Sequence, residues 1–423
     1  MPILFQGVRF GKSSSSRAIT EIADRVCWYN NIYPRAIYDG TSTVITYHGE
    51  PGQYDRYIMS YHHTNHAWTG PMLVVTNPDS DKGDSHGNPA LIKTDDNYWH
   101  VVHAEHVATY NNERATSTNS IAAWSTQGTF GTGHTYPQLH KRSNGDIVVL
   151  TRQTGSKKDL VLYTSTDDMA TWSGGTTLVD AQTADDSLVY SYSELDVTNN
   201  VLHVFMHYFK GTHNSPIYDT FPREDVYYMY QDSGGTWRDI TGTALTLPLR
   251  RANFSGDLLA YSSSGNHTHL TRPVIDSNGY PYIAFTESAV VPTSPVSVSV
   301  QGTNMITRWN GSSWDTDTIL ASSFQDVALA IDAGDDLHCA IIGQSQNIVK
   351  LYESTDAGAT WTLSQTMYNE GSNRRFWTIM RVDNAHADAQ FAWFAYEKTI
   401  GNPALIYLWG ANGLVSADGS LSP

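Results

Sequence analysis

The chain has two cysteines, Cys27 and Cys339, in 423 residues. Two thiols so far apart form no disulfide framework and match no zinc-binding spacing, so both are expected to be buried thiols. No apolar run approaches the roughly 20 residues of a membrane-spanning helix. Helical periodicity is almost absent, since no long window repeats apolar residues at i, i+3, i+4 and i+7. Basic residues are few: 26 Lys and Arg stand against 42 Asp and Glu, a formal charge of −16. That balance argues against wholesale binding of nucleic acid or an anionic membrane, although a few cations in a cleft can override the global field locally. Met1 to Thr20, with Lys12-Ser-Ser-Ser-Ser-Arg17, lacks the apolar core of a signal peptide. The expectation is a mature secreted, extracellular form or a protein carried by a phage particle.

What the chain has in quantity is aromatic residues, 12% of the total, with 25 Tyr and 12 Trp. They favour strands, and their flat faces suit sugar rings, although they are also ordinary core residues of β proteins. The recurring pattern is an alternating apolar run, a short turn rich in Asp, Asn and Gly, and a second alternating run. Inner hairpins of this kind turn at Asp39-Gly40, Asp95-Asp-Asn97, Ser143-Asn-Gly145, Asn199-Asn200, Ser277-Asn-Gly279, Ala333-Gly-Asp335 and Asp383-Asn384. Outer hairpins carry Trp-containing turns, among them Ser165 to Trp172, Asp232 to Trp237, Trp309 to Trp314 and Ser354 to Trp361. The last reads Ser-x-Asp-x-Gly-x-Thr-Trp, an Asp-box whose Ser and Asp tie the turn to its own backbone.

Units at intervals of roughly 50 residues, each worth about four strands, predict an all-β fold, a seven-bladed β-propeller of four-stranded antiparallel blades. One domain over 1–423 is expected, with blades at roughly 30–80, 81–130, 131–182, 185–250, 266–322, 323–370 and 374–415. The segments His213 to Arg223 and Arg251 to His269 are expected to be loops over one face. A β-sandwich pair or a right-handed β-helix would not repeat at this length with two hairpins per unit.

In such a blade, the start of the inner strand and the end of the second strand share one face. The starts carry Tyr33, His86 with Asn88, Tyr136, Tyr190 with Tyr192, Arg272, Asp326 and Trp377. The ends carry His48, His106, Arg152, His207, Glu287 and Glu397. One rim therefore gathers His, Tyr, Arg and carboxylates while the other gathers turn residues, and this asymmetry predicts a binding face. Singly, each residue has a blander role, as a hydrogen-bonding His at a strand end or a packing Tyr before Pro. His103 and His106 point to opposite faces of a strand, which argues against a shared metal. His203, His207 and His213, or His267 and His269, leave room for a structural divalent metal.

Asp84-x-His86-x-x-Pro89, the following His106, Thr135-Tyr136-Pro137 and Thr151-Arg152 together resemble the BNR-4 type propellers. Within that group they are similar to the ulvan lyases of polysaccharide lyase families 24 and 25, over a span from about Tyr33 to about Tyr407. The resemblance implies a lyase acting on an acidic, uronate-containing polysaccharide, with ulvan the expected substrate. It makes Tyr136 the base and acid, His86 and Arg152 the carboxylate neutralisers, and His106 a second substrate-contacting His. Asn88, Tyr190, Tyr192, His207, Arg272 and Trp377 are the expected sugar-binding residues, with Tyr190 and Tyr192 left as alternatives for the fourth-blade tyrosine. The cysteine-ligated metal of some relatives is not expected, because no cysteine lies between Cys27 and Cys339. No cofactor is expected to be required for catalysis, nor a nucleic-acid or membrane partner, and a monomer is expected. The competing expectations are a sialidase-like glycoside hydrolase, which needs paired carboxyl groups or a Tyr nucleophile, and a non-catalytic sugar-binding propeller such as a phage receptor-binding protein.

Overall fold

The computed structural model describes residues 32–48, 55–76, 88–104, 108–153, 159–181, 187–210, 223–289, 302–323, 327–342, 348–369, 374–397, 405–411, 413–415 and 421–422. Among these residues nearly every element is a strand; two three-residue 3-10 turns, Arg251–Asn253 and Gly256–Leu258, are the helical exceptions. The strands form five sheets of nine, seven, five, five and four members. Neighbouring strands pair antiparallel, except where Ile37 bridges Asp383 in parallel and joins the first hairpin to the last.

All the expected inner hairpins form. Ala36–Tyr38 pairs with Ser42–His48, and Ala90–Lys93 with Trp99–His103. The second half of Trp124–Lys141 pairs with Ile147–Gln153, and Ser187–Asp196 with Val201–Lys210. Val274–Ile275 pairs with Pro281–Ser288, Val327–Ile331 with Leu337–Ile342, and Arg374–His386 with Ala389–Glu397. Runs such as Ile147 to Leu150 are buried at every position, so these strands are covered on both faces rather than on one. The core lies between sheets, as where Val148 and Leu150 meet Leu202, Val204 and Met206.

Two expectations need correction. The last hairpin does not turn at Asp383-Asn384; the strand runs on to His386 and turns at Ala387-Asp388. Asn384 adopts φ 53°, where the register shifts between Arg381 and His386, so a residue tolerant of the left-handed region kinks the strand instead of ending it. Nor is Arg251 to His269 simply a loop. Leu259–Tyr261 pairs with Arg223–Gln231, and His267–Leu270, buried throughout, pairs with Pro281–Ser288.

The outer turns are locked by their own side chains. Asp356 accepts from Thr360 N at 2.8 Å and Thr360 Oγ1 at 2.6 Å, while Gly358 N donates to Ser354 Oγ at 2.9 Å. These hydrogen bonds, those of Thr360 foremost, pull the Asp356 carboxyl down to about 2. Ser165, Asp167 and Thr171 repeat the pattern, with Met169 taking the left-handed position at φ 66° that Gly358 takes at 83°. Met169 bears that conformation because its side chain is buried in the cluster that holds Phe130 and Tyr136. Trp172 stacks on Phe130 at 4.1 Å, wedging one hairpin group against the next.

Along the inner strands, charges close the axis. Arg272 donates to Glu194 Oε2 at 2.8 Å and to Asp383 Oδ1 at 2.5 Å. Arg381 donates to Glu194 as well and to the Pro273 carbonyl at 2.6 Å. Tyr33 lies under the Arg272 guanidinium at 4.5 Å and donates to the Gln138 side chain at 2.7 Å. One cluster thus ties inner strands from five separate hairpin groups. A cavity of about 1310 Å³ opens beside it at the turn-residue rim, lined by many carboxylates, including Asp39, Asp95, Asp196, Asp276 and Asp332.

Removing one member of a buried charge network leaves its partner uncompensated, a loss of about 3–5 kcal/mol. Glu194→Gln should therefore lower the unfolding free energy by about that amount in a denaturant titration; an unchanged midpoint would show that the cluster contributes no stability. Burial also holds His100, His134 and His203 at about 4, below their ordinary 6.5. Their folded pKa is depressed, so between about pH 6.5 and 4 the unfolded chain binds more protons, and stability falls as pH falls. Thermal unfolding followed from pH 7 to 4 should show Tm dropping through that window, and a flat profile would contradict it.

Candidate active site

The site is built on a bulge. Trp124–Lys141 pairs Thr135 with Arg152 and Gln138 with Leu150, so Tyr136 and Pro137 oppose the single residue Thr151. This two-against-one bulge puts Tyr136 at φ 63°, a conformation that a bulky residue adopts at a cost of about 1–3 kcal/mol. The surroundings hold it there. Thr151 Oγ1 donates to the Thr135 carbonyl at 2.8 Å and lies 2.6 Å from the Tyr110 hydroxyl. The phenol is nearly all buried, with 1% of Tyr136 exposed.

Arg152, from the returning strand, places its guanidinium 4.6 Å from the Tyr136 ring centroid and 4.4 Å from that of Tyr190. Tyr136 and Tyr190 are themselves 5.8 Å apart, tilted by 47°. A second guanidinium, that of Arg223, lies 4.3 Å from the Tyr190 ring, so two cations contact this one phenol. On a surface of charge −16, this is a local positive group flanked by phenols.

A histidine group backs it. His207, directly opposite Tyr190 in the strand pairing, meets the Tyr190 ring edge-on at 5.8 Å and the Tyr192 ring at 6.0 Å. Its Nδ1 stands 3.1 Å from Thr268 Oγ1, which donates to the Arg223 carbonyl. Burial first, then the Arg223 charge, holds His207 and His267 well below the usual histidine range and His269 at about 3. All three rings are neutral at pH 7. The buried Nε2 atoms of His207 and His269 have no hydrogen-bond partner among the described residues.

The structure thus brings together Tyr136, Arg152, Tyr190 and His207 from the expected set. It separates the two alternatives, with Tyr190 beside Tyr136 and Arg152 while Tyr192 packs in the core with Phe205 and Phe285. Asn88 is buried at the foot of strand Ala90–Lys93. Arg272 is not part of this group: its guanidinium is spent on Glu194 and Asp383 in the axial cluster. His86, His106 and the side chain of Trp377 lie outside the described residues. His103 Nε2 lies 3.5 Å from Glu113 Oε1. Arg223 was missed as a site residue, because it closes a segment read as loop; Thr268 was hidden by the same reading, and His269 was weighed only as a metal ligand.

A model described as "BNR repeat-containing family member", BNR_4, matches residues 42–321. The chain belongs to this family. Two curated relatives of this BNR_4 chain are named ulvan lyase. That of Alteromonas sp. is 22% identical over 90% of this chain and 84% of its own length. That of Nonlabens ulvanivorans is 24% identical over 90% and 86%. A solved structure titled as a polysaccharide lyase family 25 ulvan lyase bound to -[GlcA(1-4)Rha3S]- superposes with a TM-score of 0.80. It is 21% identical and matched over 94% of this chain and 97% of that one. This likeness fixes a propeller-like all-β fold for the BNR_4 chain.

Two guanidiniums lie against the Tyr190 ring, and each such contact contributes about 0.5–2 kcal/mol. Tyr190→Leu should therefore lower the unfolding free energy by about 1–3 kcal/mol in a denaturant titration. Full stability in that variant would show that Arg152 and Arg223 tolerate each other without the ring.

Proposed function

We propose that this chain is a polysaccharide lyase that cleaves a uronate-containing acidic polysaccharide, ulvan in particular, by β-elimination on a seven-bladed propeller. The observation that carries the reading is the Tyr136–Arg152 pair, a phenol in a strained bulge with a guanidinium against its ring. The match to proteins named ulvan lyase, across nine-tenths of the chain, supports it.

The chemistry needs two things. The C5 proton of a uronate is adjacent to a carboxylate whose charge opposes carbanion formation, so that charge must be neutralised. Arg152 is the residue for this task, with His86 from the neighbouring blade as second donor and His106 as a further contact. Arg223, beyond Tyr190, widens the positive field on the same side. The proton must also have an acceptor. Tyr136, with the Arg152 guanidinium against its ring, is the side chain placed to serve as the base.

Tyr136 then takes the C5 proton, the C4–O4 bond breaks, and a C4=C5 double bond forms. The departing O4 receives a proton from the same phenol. The products are an unsaturated uronate at one new end and a free hydroxyl at the other. Every step is assigned to side chains of this chain, with Tyr190 shaping the sugar-facing wall, His207 buried behind it, and Asn88 and Trp377 as further contacts.

The test is incubation with ulvan and other uronate polymers while following the ultraviolet absorbance of the unsaturated product. Tyr136→Phe should lower turnover by about 10²–10⁴-fold while retaining binding; near-normal turnover would remove Tyr136 from its role. Reducing ends without the unsaturated chromophore would replace the lyase by a hydrolase, and binding without either product would leave a sugar-binding module.

A further inference from the structure

At the seam between the first hairpin group and the last, away from Tyr136 and Arg152, His63, His386 and Asp388 bring three ligand atoms within 4.8 Å of one another. We propose that this triad binds one divalent transition ion of the zinc class and clasps the two ends of the fold together.

His63 is set for the role, and His386 with Asp388 reaches it from one short turn. His63 follows strand Arg56–His62, and its backbone N–H donates to the Thr41 carbonyl at 3.2 Å. Its Nε2 lies 2.8 Å from Thr43 Oγ1, which orients the ring and leaves Nδ1 as the second nitrogen. That Nδ1 is buried without a hydrogen-bond partner among the described residues, on a residue only 7% exposed. An imidazole anchored through one nitrogen, with the other left open, is the arrangement of a metal-ligating histidine. His386 and Asp388 share one short turn. The Asp388 N–H donates to His386 Nδ1 at 3.1 Å, and Asp388 Oδ2 is 3.6 Å from the same atom.

The two rings lie 4.0 Å apart, tilted by 30°. Two imidazoles and one carboxylate suit zinc and its neighbours rather than calcium or magnesium, which take oxygen donors. Three protein ligands leave a fourth position for water, and the partly exposed His386 gives the ion a way in.

The location gives the ion a purpose. Along the same rim, successive turns are joined by side chains: Lys93 to Asp39, Lys141 to Asp95, Arg142 to Asn200 and Ser277 to Asp335. The clasp would supply the corresponding link where the chain's two ends meet, beside the single-residue bridge of Ile37 to Asp383.

The test uses full-length protein without a histidine tag, stripped by chelator and titrated with zinc chloride. Wild type should bind one equivalent more than His386→Ala. Saturation at about a hundredfold excess over Kd should raise the wild-type Tm by roughly 2–5 °C, and the variant should lose that rise. Asp388→Asn, which keeps the turn and both rings, should weaken binding in the same direction. Cobalt should give a tetrahedral ligand-field spectrum at this site in wild type, absent from His386→Ala. Equal stoichiometry and equal Tm shifts in wild type and both variants would overturn the proposal, wherever else zinc binds.

Discussion

The structure depends on one buried meeting of charges. Arg272 and Arg381 face Glu194 and Asp383 where the inner strands converge, largely buried at the edge of the cavity on the turn-residue rim. In low dielectric such a network is a weak source of net stability but a strong source of registration, because any strand that slips strands a charge. Arg272 precedes Val274–Ile275, Glu194 lies in Ser187–Asp196, and Arg381 and Asp383 belong to Arg374–His386. Tyr33, Gln138 and Ser193 extend the network to the neighbouring hairpins. Once these inner strands are fixed, the ends that leave the axis on the far side are fixed too.

The candidate site inherits that order. Tyr136 is two residues from Gln138, which the axial network holds through Tyr33 and the Ser191 carbonyl. The bulge that rotates Tyr136 out of register therefore pivots on a strand that cannot shift. Strain in the left-handed region persists only where the surroundings over-determine it, and here the Tyr110 to Thr151 to Thr135 bonds do so from the other side. The histidines behind Tyr190 are neutral, so they add no charge that would repel Arg223 and Arg152.

Much of this was legible in the sequence. The turn residues located the inner hairpins because Asp, Asn and Gly report backbone conformations that few other residues adopt. Thr135-Tyr136-Pro137 followed by Thr151-Arg152 pointed to two adjoining strand ends, and those residues do meet. Arg272 misled, because strand-end position says nothing about whether a guanidinium faces a ligand or a buried carboxylate on another hairpin. Arg223 was invisible for a related reason. Its importance comes from pairing across a long interval, with His267 to Leu270 packed beside it, and no local pattern records that. The turn of the last hairpin was misplaced because Asn384 satisfies a bulge as readily as a turn. Tyr190 and Tyr192, two residues apart on one strand, were alike to any reading of alternation; packing alone tells them apart.

Strand Trp124–Lys141 pairs through its first half with Ala108–Ala115 and through its second half with Ile147–Gln153. It is the outer strand of one hairpin group and the inner strand of the next, with no loop between them. Two neighbouring walls of the molecule are therefore a single beam, and Tyr136 is mounted at its bend. Such a joint transmits load instead of swinging. A long, stiff polymer pulled across this face would meet a fixed anvil, and any yielding would have to come from the polymer.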